Sequence, residues 1–157
     1  METRFESPAH RSKLVADVLA GSVVADYYHA ATMPVVHDRA SASELRKLLA
    51  DPDVPFPLTV INAKGVPCGI VTMGTIRSLY FQESAENLAI VDDMSGPLVV
   101  AVPDEPLVSV MQKFETSGYS RIPVCSGQNP AELLGYIQYQ DIMAAYQREL
   151  ERQRVDF

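Results

Sequence analysis

The sequence predicts a mixed α/β (α+β) fold: two tandem β-α-β-β-α units packed sheet to sheet about a pseudo-two-fold axis. Three observations predict it. Several short segments recur in one order along the chain. Strand and helix signals alternate in the same sequence within each copy. Hydrophobic residues make up 47% of 157 residues, enough for a shared core but little for either half alone.

The repeat is clearest between Gly69-Ile70-Val71-Thr72-Met73-Gly74-Thr75-Ile76 and Gly135-Tyr136-Ile137-Gln138-Tyr139-Gln140-Asp141-Ile142, an offset of 66 residues. The same offset carries Tyr80 onto Tyr146. Upstream, Thr59-Val60-Ile61-Asn62 matches Pro123-Val124-Cys125-Ser126 at an offset of 64, and Pro34-Val35-Val36 matches Pro97-Leu98-Val99 at 63. Val15-Ala16-Asp17-Val18-Leu19 aligns with Ile90-Val91-Asp92-Asp93-Met94 at 75, which requires an insertion over residues 20–33 of the first copy.

In the first copy, Pro34 to His37 reads as a short strand. Ser41-Ala42-Ser43-Glu44 has the form of a capping box, and Leu45, Leu48 and Leu49 then share one helical face. Leu58 to Asn62 is a strand, Ala63-Lys64-Gly65 a hairpin turn, and Cys68 to Thr72 the return strand. Met73 to Gln82 is a helix with Ile76, Leu79 and Tyr80 on one side. In the second copy, Leu98 to Val102 is the first strand. Asp104 is placed to cap a helix with Pro106 in its first turn, and Leu107, Val110, Met111 and Phe114 form the buried stripe. Arg121 to Cys125 and Leu133 to Gln138 form the hairpin. The last helix begins near Gln140 and carries Ile142, Met143, Tyr146 and Leu150. Its polar end, Arg148 to Arg154, is expected in solvent or against a partner. The boundaries expected are residues 1–13 as a lead-in, 14–83 as the first repeat, 84–90 as a linker, 91–149 as the second repeat and 150–157 as a tail. Stacking the two sheets should bury one continuous core, with clefts where the copies meet.

Composition excludes several functions. The net charge is −7, from 13 Lys and Arg against 20 Asp and Glu, so nothing draws the chain to a nucleic-acid backbone. No stretch approaches the roughly 18–20 apolar residues of a membrane helix. No nucleophile–base pairing or Walker-type loop is present. His10, His29 and His37 have no zinc-type spacing with the cysteines. Cys68 and Cys125, both on expected strands, read as core thiols of a reducing, cytoplasmic compartment.

The Val/Ile-x-Asp-x-Leu/Met openings, Arg121-Ile122-Pro123-Val124 and the two Gly-x-x-polar-x-x-polar runs together resemble a tandem CBS-domain pair, or Bateman module, over about Lys13 to Glu149. The resemblance implies a non-enzymatic regulatory module. Such a module is expected to bind AMP, ADP or ATP in a cleft, to carry no catalytic cofactor and to form homodimers. Ala9 to Val18 and Asp141 to Leu150 are further similar to the cytosolic tail of CLC-type chloride channels and chloride–proton antiporters. That likeness implies a membrane transport domain attached in the parent protein. A purely structural dimerisation module, or a regulatory module of a metabolic enzyme, are the alternatives.

The resemblance also implies site residues. An Asp at the start of the last helix receives the ribose hydroxyls, a role a carboxylate suits because it accepts from two vicinal OH groups. The second copy has Asp141 there, the first Thr75. Three residues earlier the family prefers Ser or Thr near a phosphate. The first copy has Thr72, the second Gln138. The favoured cleft is therefore centred on Asp141 and Gln138, with Met33, Pro34, Val35, Val54, Phe56 and Pro57 as its other wall and Phe56 as the stacking platform. The weaker second cleft takes Thr72, Thr75, Leu98, Val99, Tyr119, Ser120 and Arg121, with Arg121 toward phosphate. Each of these side chains also has an ordinary structural reading: helix caps for Asp141, Thr72 and Thr75, a surface ion pair for Arg121, and core or interface for Phe56.

Overall fold

The computed structural model describes residues 8–54, 57–80 and 90–155. The chain runs α1 (Pro8–Val18), a 3-10 turn (Val24–Asp26), β1 (His29–Ala30), β2 (Val35–His37), α2 (Ala42–Leu49), β3 (Leu58–Ile61), β4 (Pro67–Val71), α3 (Met73–Tyr80), α4 (Val91–Met94), α5 (Leu107–Ser117), β5 (Arg121–Cys125), β6 (Leu133–Gln138) and α6 (Tyr139–Val155). It folds into two three-stranded sheets, ordered β2-β3-β4 and β1-β6-β5. β2 runs parallel to β3, and the hairpins β3/β4 and β5/β6 are antiparallel. This is the mixed α+β pair of sheets and helices that the repeat predicts.

Local chemistry explains the element ends. Ser41 caps α2 by accepting the Glu44 N–H on its side-chain oxygen at 3.1 Å. In the β3/β4 turn, Asn62 Oδ1 accepts the N–H groups of Lys64 and Val66 at 2.9 and 3.1 Å. α5 stops at Gly118, which takes the left-handed conformation at φ 73° and donates its N–H to Phe114 O.

Two expectations change at the start of the second repeat. Asp104 is not the cap of α5. Pro106 occupies the cap position in extended conformation, and Glu105 serves the nearby donors, accepting from Val102 N at 3.2 Å and Ser109 Oγ at 2.7 Å. The strand expected over residues 98–102 shrinks to one parallel bridge, Ala101 to Val124. The next bond of that ladder, to Val99 O, would have to come from the nitrogen of Pro123, which carries no hydrogen. Lys113 Nζ donates to Val100 O and Tyr119 Oη to Pro97 O outside the ladder.

The core is two clusters rather than the single continuous core expected. One gathers Leu107, Val110, Met111, Phe114, Ile122, Val124, Ile137 and Ile142 of the second repeat. The other gathers Val36, Leu45, Leu58, Val60, Val71 and Ile76 of the first. Each cluster also contains a valine from the other half: Val24 enters the second repeat's core and Val91 the first's, both fully buried.

This exchange is pseudo-symmetric in the backbone. Val23 bridges Pro106, and Val24 N donates to Glu105 O. Ile90 bridges Ser41, and Val91 N donates to Ala40 O. The structural counterpart of Ile90-Val91 is therefore Val23-Val24, at an offset of 67, and not the earlier Val15–Leu19 segment. That earlier segment lies on and just after α1, which packs along α6. Nor do residues 20–33 form one insertion, since Val23 and Val24 within them have counterparts in the second repeat.

Candidate functional site

Both repeats place a strand-to-helix junction at the expected position. At the first, Thr72 precedes α3, and its Oγ1 accepts the Thr75 N–H at 3.3 Å while lying 3.3 Å from Thr75 Oγ1. This is an N-cap with a second hydroxyl beside it. At the second, Gln138 precedes α6, and Asp141 reaches back so that its Oδ2 accepts the Gln138 N–H at 2.7 Å. This is the reach-back half of a capping box. Asp141 Oδ1 lies 2.8 Å from His29 Nε2. Both carboxylate oxygens are thus hydrogen-bonded within the chain.

Around the Thr72 junction the two repeats meet. A cavity of about 220 Å³ is lined by Pro57, Thr72, Met73 and Gly74 from the first repeat and by Gly118, Tyr119 and Ser120 from the second. The ring of Tyr119 also borders a larger, mainly apolar cavity of about 520 Å³, whose walls include Pro97, Val99, Gln112 and Lys113. Tyr119 is fixed between the two because its Oη donates to Pro97 O at 2.8 Å. Burial pushes its phenol pKa above the ordinary value. Four members of the second cleft, Thr72, Val99, Tyr119 and Ser120, therefore line one or other of these adjoining cavities. Pro57, expected on the Asp141 side, lines the Thr72 cavity instead.

Other expected members lie elsewhere. The Arg121 guanidinium sits 4.0 Å from the centre of the Tyr136 ring, and its Nε is buried without a hydrogen-bond partner. Leu98 is exposed. Asp141 lines none of the cavities described here. Met33, Pro34 and Val35 are half-buried, and Val54 packs against the first repeat's core. Phe56 lies outside the described residues.

A third cavity, about 530 Å³ and polar, has no counterpart in the sequence reading. Ser22, Asp26, Tyr27, Arg148, Glu149 and Arg152 line it. Tyr27 Oη donates to Glu149 Oε1 at 3.4 Å, and Arg152 pairs with the same carboxylate. Burial, then the Glu149 charge, pushes the Tyr27 phenol pKa up. Tyr27 follows the 3-10 turn and meets α6 at Glu149, and no sequence motif marks that contact.

The thiols divide. Cys125 is buried, but Cys68 is exposed on β4 and not a core residue. Burial raises both thiol pKa values, and at Cys68 the charges of Asp38 and Asp92 add to the effect. Among the described residues, no three His, Cys, Asp or Glu side chains are grouped to hold a metal. No described helix is long and apolar enough to cross a membrane.

Residues 89–148 match the family model of the CBS domain. A search of curated protein sequences finds no match. Solved structures share the fold. CBSX2 in complex with AMP is 21% identical with a TM-score of 0.63, the match covering 82% of this chain and 98% of that one. A CBS domain protein from Streptococcus pneumoniae is 19% identical with a TM-score of 0.65, over 92% of this chain and 99% of that one. The CBS domain pair of protein MJ0100, in complex with 5′-methylthioadenosine and S-adenosyl-L-methionine, is 20% identical with a TM-score of 0.59, over 82% and 98%. The chain therefore has the fold of a tandem CBS pair, and residues 89–148 resemble the CBS domain in sequence as well.

Proposed function

We propose that this chain is a non-catalytic regulatory module that binds an adenine nucleotide between its two repeats. The observation that carries this reading is the cavity joining Thr72 and the start of α3 to Tyr119 and Ser120 of the other repeat. A phosphate is favoured at a helix N-terminus, where Thr72 adds a hydroxyl. The adjoining apolar cavity, with Val99 and the Tyr119 ring, suits a base. The combined space falls within the range of small-molecule pockets. Support for the ligand class comes from two proteins of the same fold, whose structures hold AMP in one case and 5′-methylthioadenosine with S-adenosyl-L-methionine in the other. All three ligands carry adenosine.

The ligand regulates through its differential affinity for two arrangements of the pair. Homodimerisation through CBS pairs and a cytoplasmic setting complete the reading. The finer reading, a CLC-type parent with a membrane transport domain, rests on the likeness of Ala9 to Val18 and Asp141 to Leu150 alone.

Titration calorimetry with AMP, ADP, ATP and S-adenosylmethionine tests the module. Saturable binding of at least one of them is expected, and Thr72→Val should weaken it by about 1.5–3 kcal/mol, the loss of a hydrogen bond to a charged group. Absence of binding at millimolar ligand would leave a dimerisation scaffold, the reading that the fully engaged Asp141 carboxylate favours.

A further inference from the structure

The two ligand-type junctions differ in what stands over them. In the second repeat, β1 adds to the free edge of β6, with His29 opposite Tyr136 and Ala30 opposite Gly135. In the first repeat, Gly96 takes the same place on β4, bridging Ile70 through two hydrogen bonds of 2.7 and 3.1 Å. Ile70 and Tyr136 are equivalent in their hairpins, opposite Thr59 and Pro123. His29 and Gly96 are therefore equivalent positions, one with an imidazole and one with no side chain.

The imidazole is held from two sides. It stacks on the Tyr136 ring at 5.0 Å with an interplanar angle of 22°, and its Nε2 contacts Asp141 Oδ1 at 2.8 Å. The His29 side chain is 49% exposed and that of Asp141 16%, so the imidazole is the outer cover and the carboxylate lies beneath it. Gly135 lets β1 dock this closely. A Cβ there would collide with His29 O and lie 3.0 Å from Ala30 Cα. At the other junction Gly96 has no side chain to lay over Thr75, the counterpart of Asp141, and a Cβ added there would meet the Oη of Tyr119, which lines the Thr72 cavity, at 2.9 Å.

We infer that His29 sets the number of nucleotides the module takes: it occupies the carboxylate that would receive a ribose and keeps the Asp141 half-site closed, so that only the Thr72 cleft loads. This rests on the nucleotide-binding reading above. Among the described residues, the charged side chain facing the His29–Tyr136 stack besides Asp141 is Arg121, on the Tyr136 ring.

The test is calorimetric stoichiometry for AMP on the full chain, comparing wild type with His29→Gly, which copies Gly96. His29→Ala serves as a second variant in case the glycine unsettles β1, and circular dichroism checks the fold of each. The expected result is one equivalent for wild type, two for the variants, and a return to one when Asp141→Ala is added to His29→Gly. One equivalent in wild type and both variants overturns the role of His29 and leaves the nucleotide reading standing. Loss of binding in the variants also overturns it, making His29 a ligand contact. Binding to the variants alone supports closure by His29 but removes the Thr72 cleft. No binding by any protein overturns both.

Discussion

Thr59 shows how much a single group can matter. It is 1% exposed, on the sheet face opposite the core residues Leu58 and Val60, and its Oγ1 has no hydrogen-bond partner. A buried hydroxyl without a partner costs about 1–3 kcal/mol in desolvation. Thr59→Val keeps the shape and the β-branching and removes that cost. Urea unfolding should show a gain of about 1–3 kcal/mol, as a higher midpoint with an unchanged slope. A lower midpoint would mean that the hydroxyl is satisfied in solution. Cys68 shows where the sequence misleads at this scale. Its place on an expected strand marks it as core, but the pairing jumps from Val60–Gly69 to Ile61–Pro67. That leaves Cys68 as the extra residue of a bulge, turned to the surface. A bulge depends on the partner strand, which local alternation does not reveal.

Helices and hairpins are the best-read elements because their signals are local. The Ser41 cap, the apolar stripe of α5 and the β5/β6 hairpin all form where their residue patterns place them. The strand expected over residues 98–102 was not legible as a mere bridge, because only the folded register sets Pro123, with no N–H to donate, where the next ladder bond would form. Asp104 lost the cap to geometry: Pro106 already holds the extended backbone that a cap position needs. The end of α5 gives a prediction at this scale. Gly118 sits at φ 73° with nothing within 4 Å of an added Cβ, so Gly118→Ala meets no clash and pays only the left-handed backbone penalty. Thermal denaturation should show a loss of about 1 kcal/mol, and Gly118→Asn should recover part of it. Equal stability of all three would show that α5 frays before Gly118.

At the scale of the molecule, each repeat is completed by a segment of the other, and this was not legible in the residue letters. The matching pairs are Val23-Val24 and Ile90-Val91, whose likeness lies in backbone bonds to the caps of α5 and α2 more than in their neighbours. The favoured site was partly hidden for the same reason. His29 reaches Asp141 only because β1, from the first half of the chain, pairs with β6. Pocket residues Thr72, Tyr119 and Ser120 were legible because they flank the repeated motifs themselves. The exchange makes a prediction that a simple pair of side-by-side domains does not. Val91 belongs by sequence to the second repeat but is buried in the first repeat's core. Truncating it to alanine should cost about 2 kcal/mol, from lost burial and the space left behind. The damage should appear as faster amide exchange in β3 and β4, with β5 and β6 protected as before, while Val24→Ala should give the mirror pattern. If Val91→Ala instead loosened β5 and β6, the two halves would fold independently of the exchanged valines. If both variants loosened all four strands equally, the pair would open only as one cooperative unit, and the exchange would couple the ligand cleft to both cores.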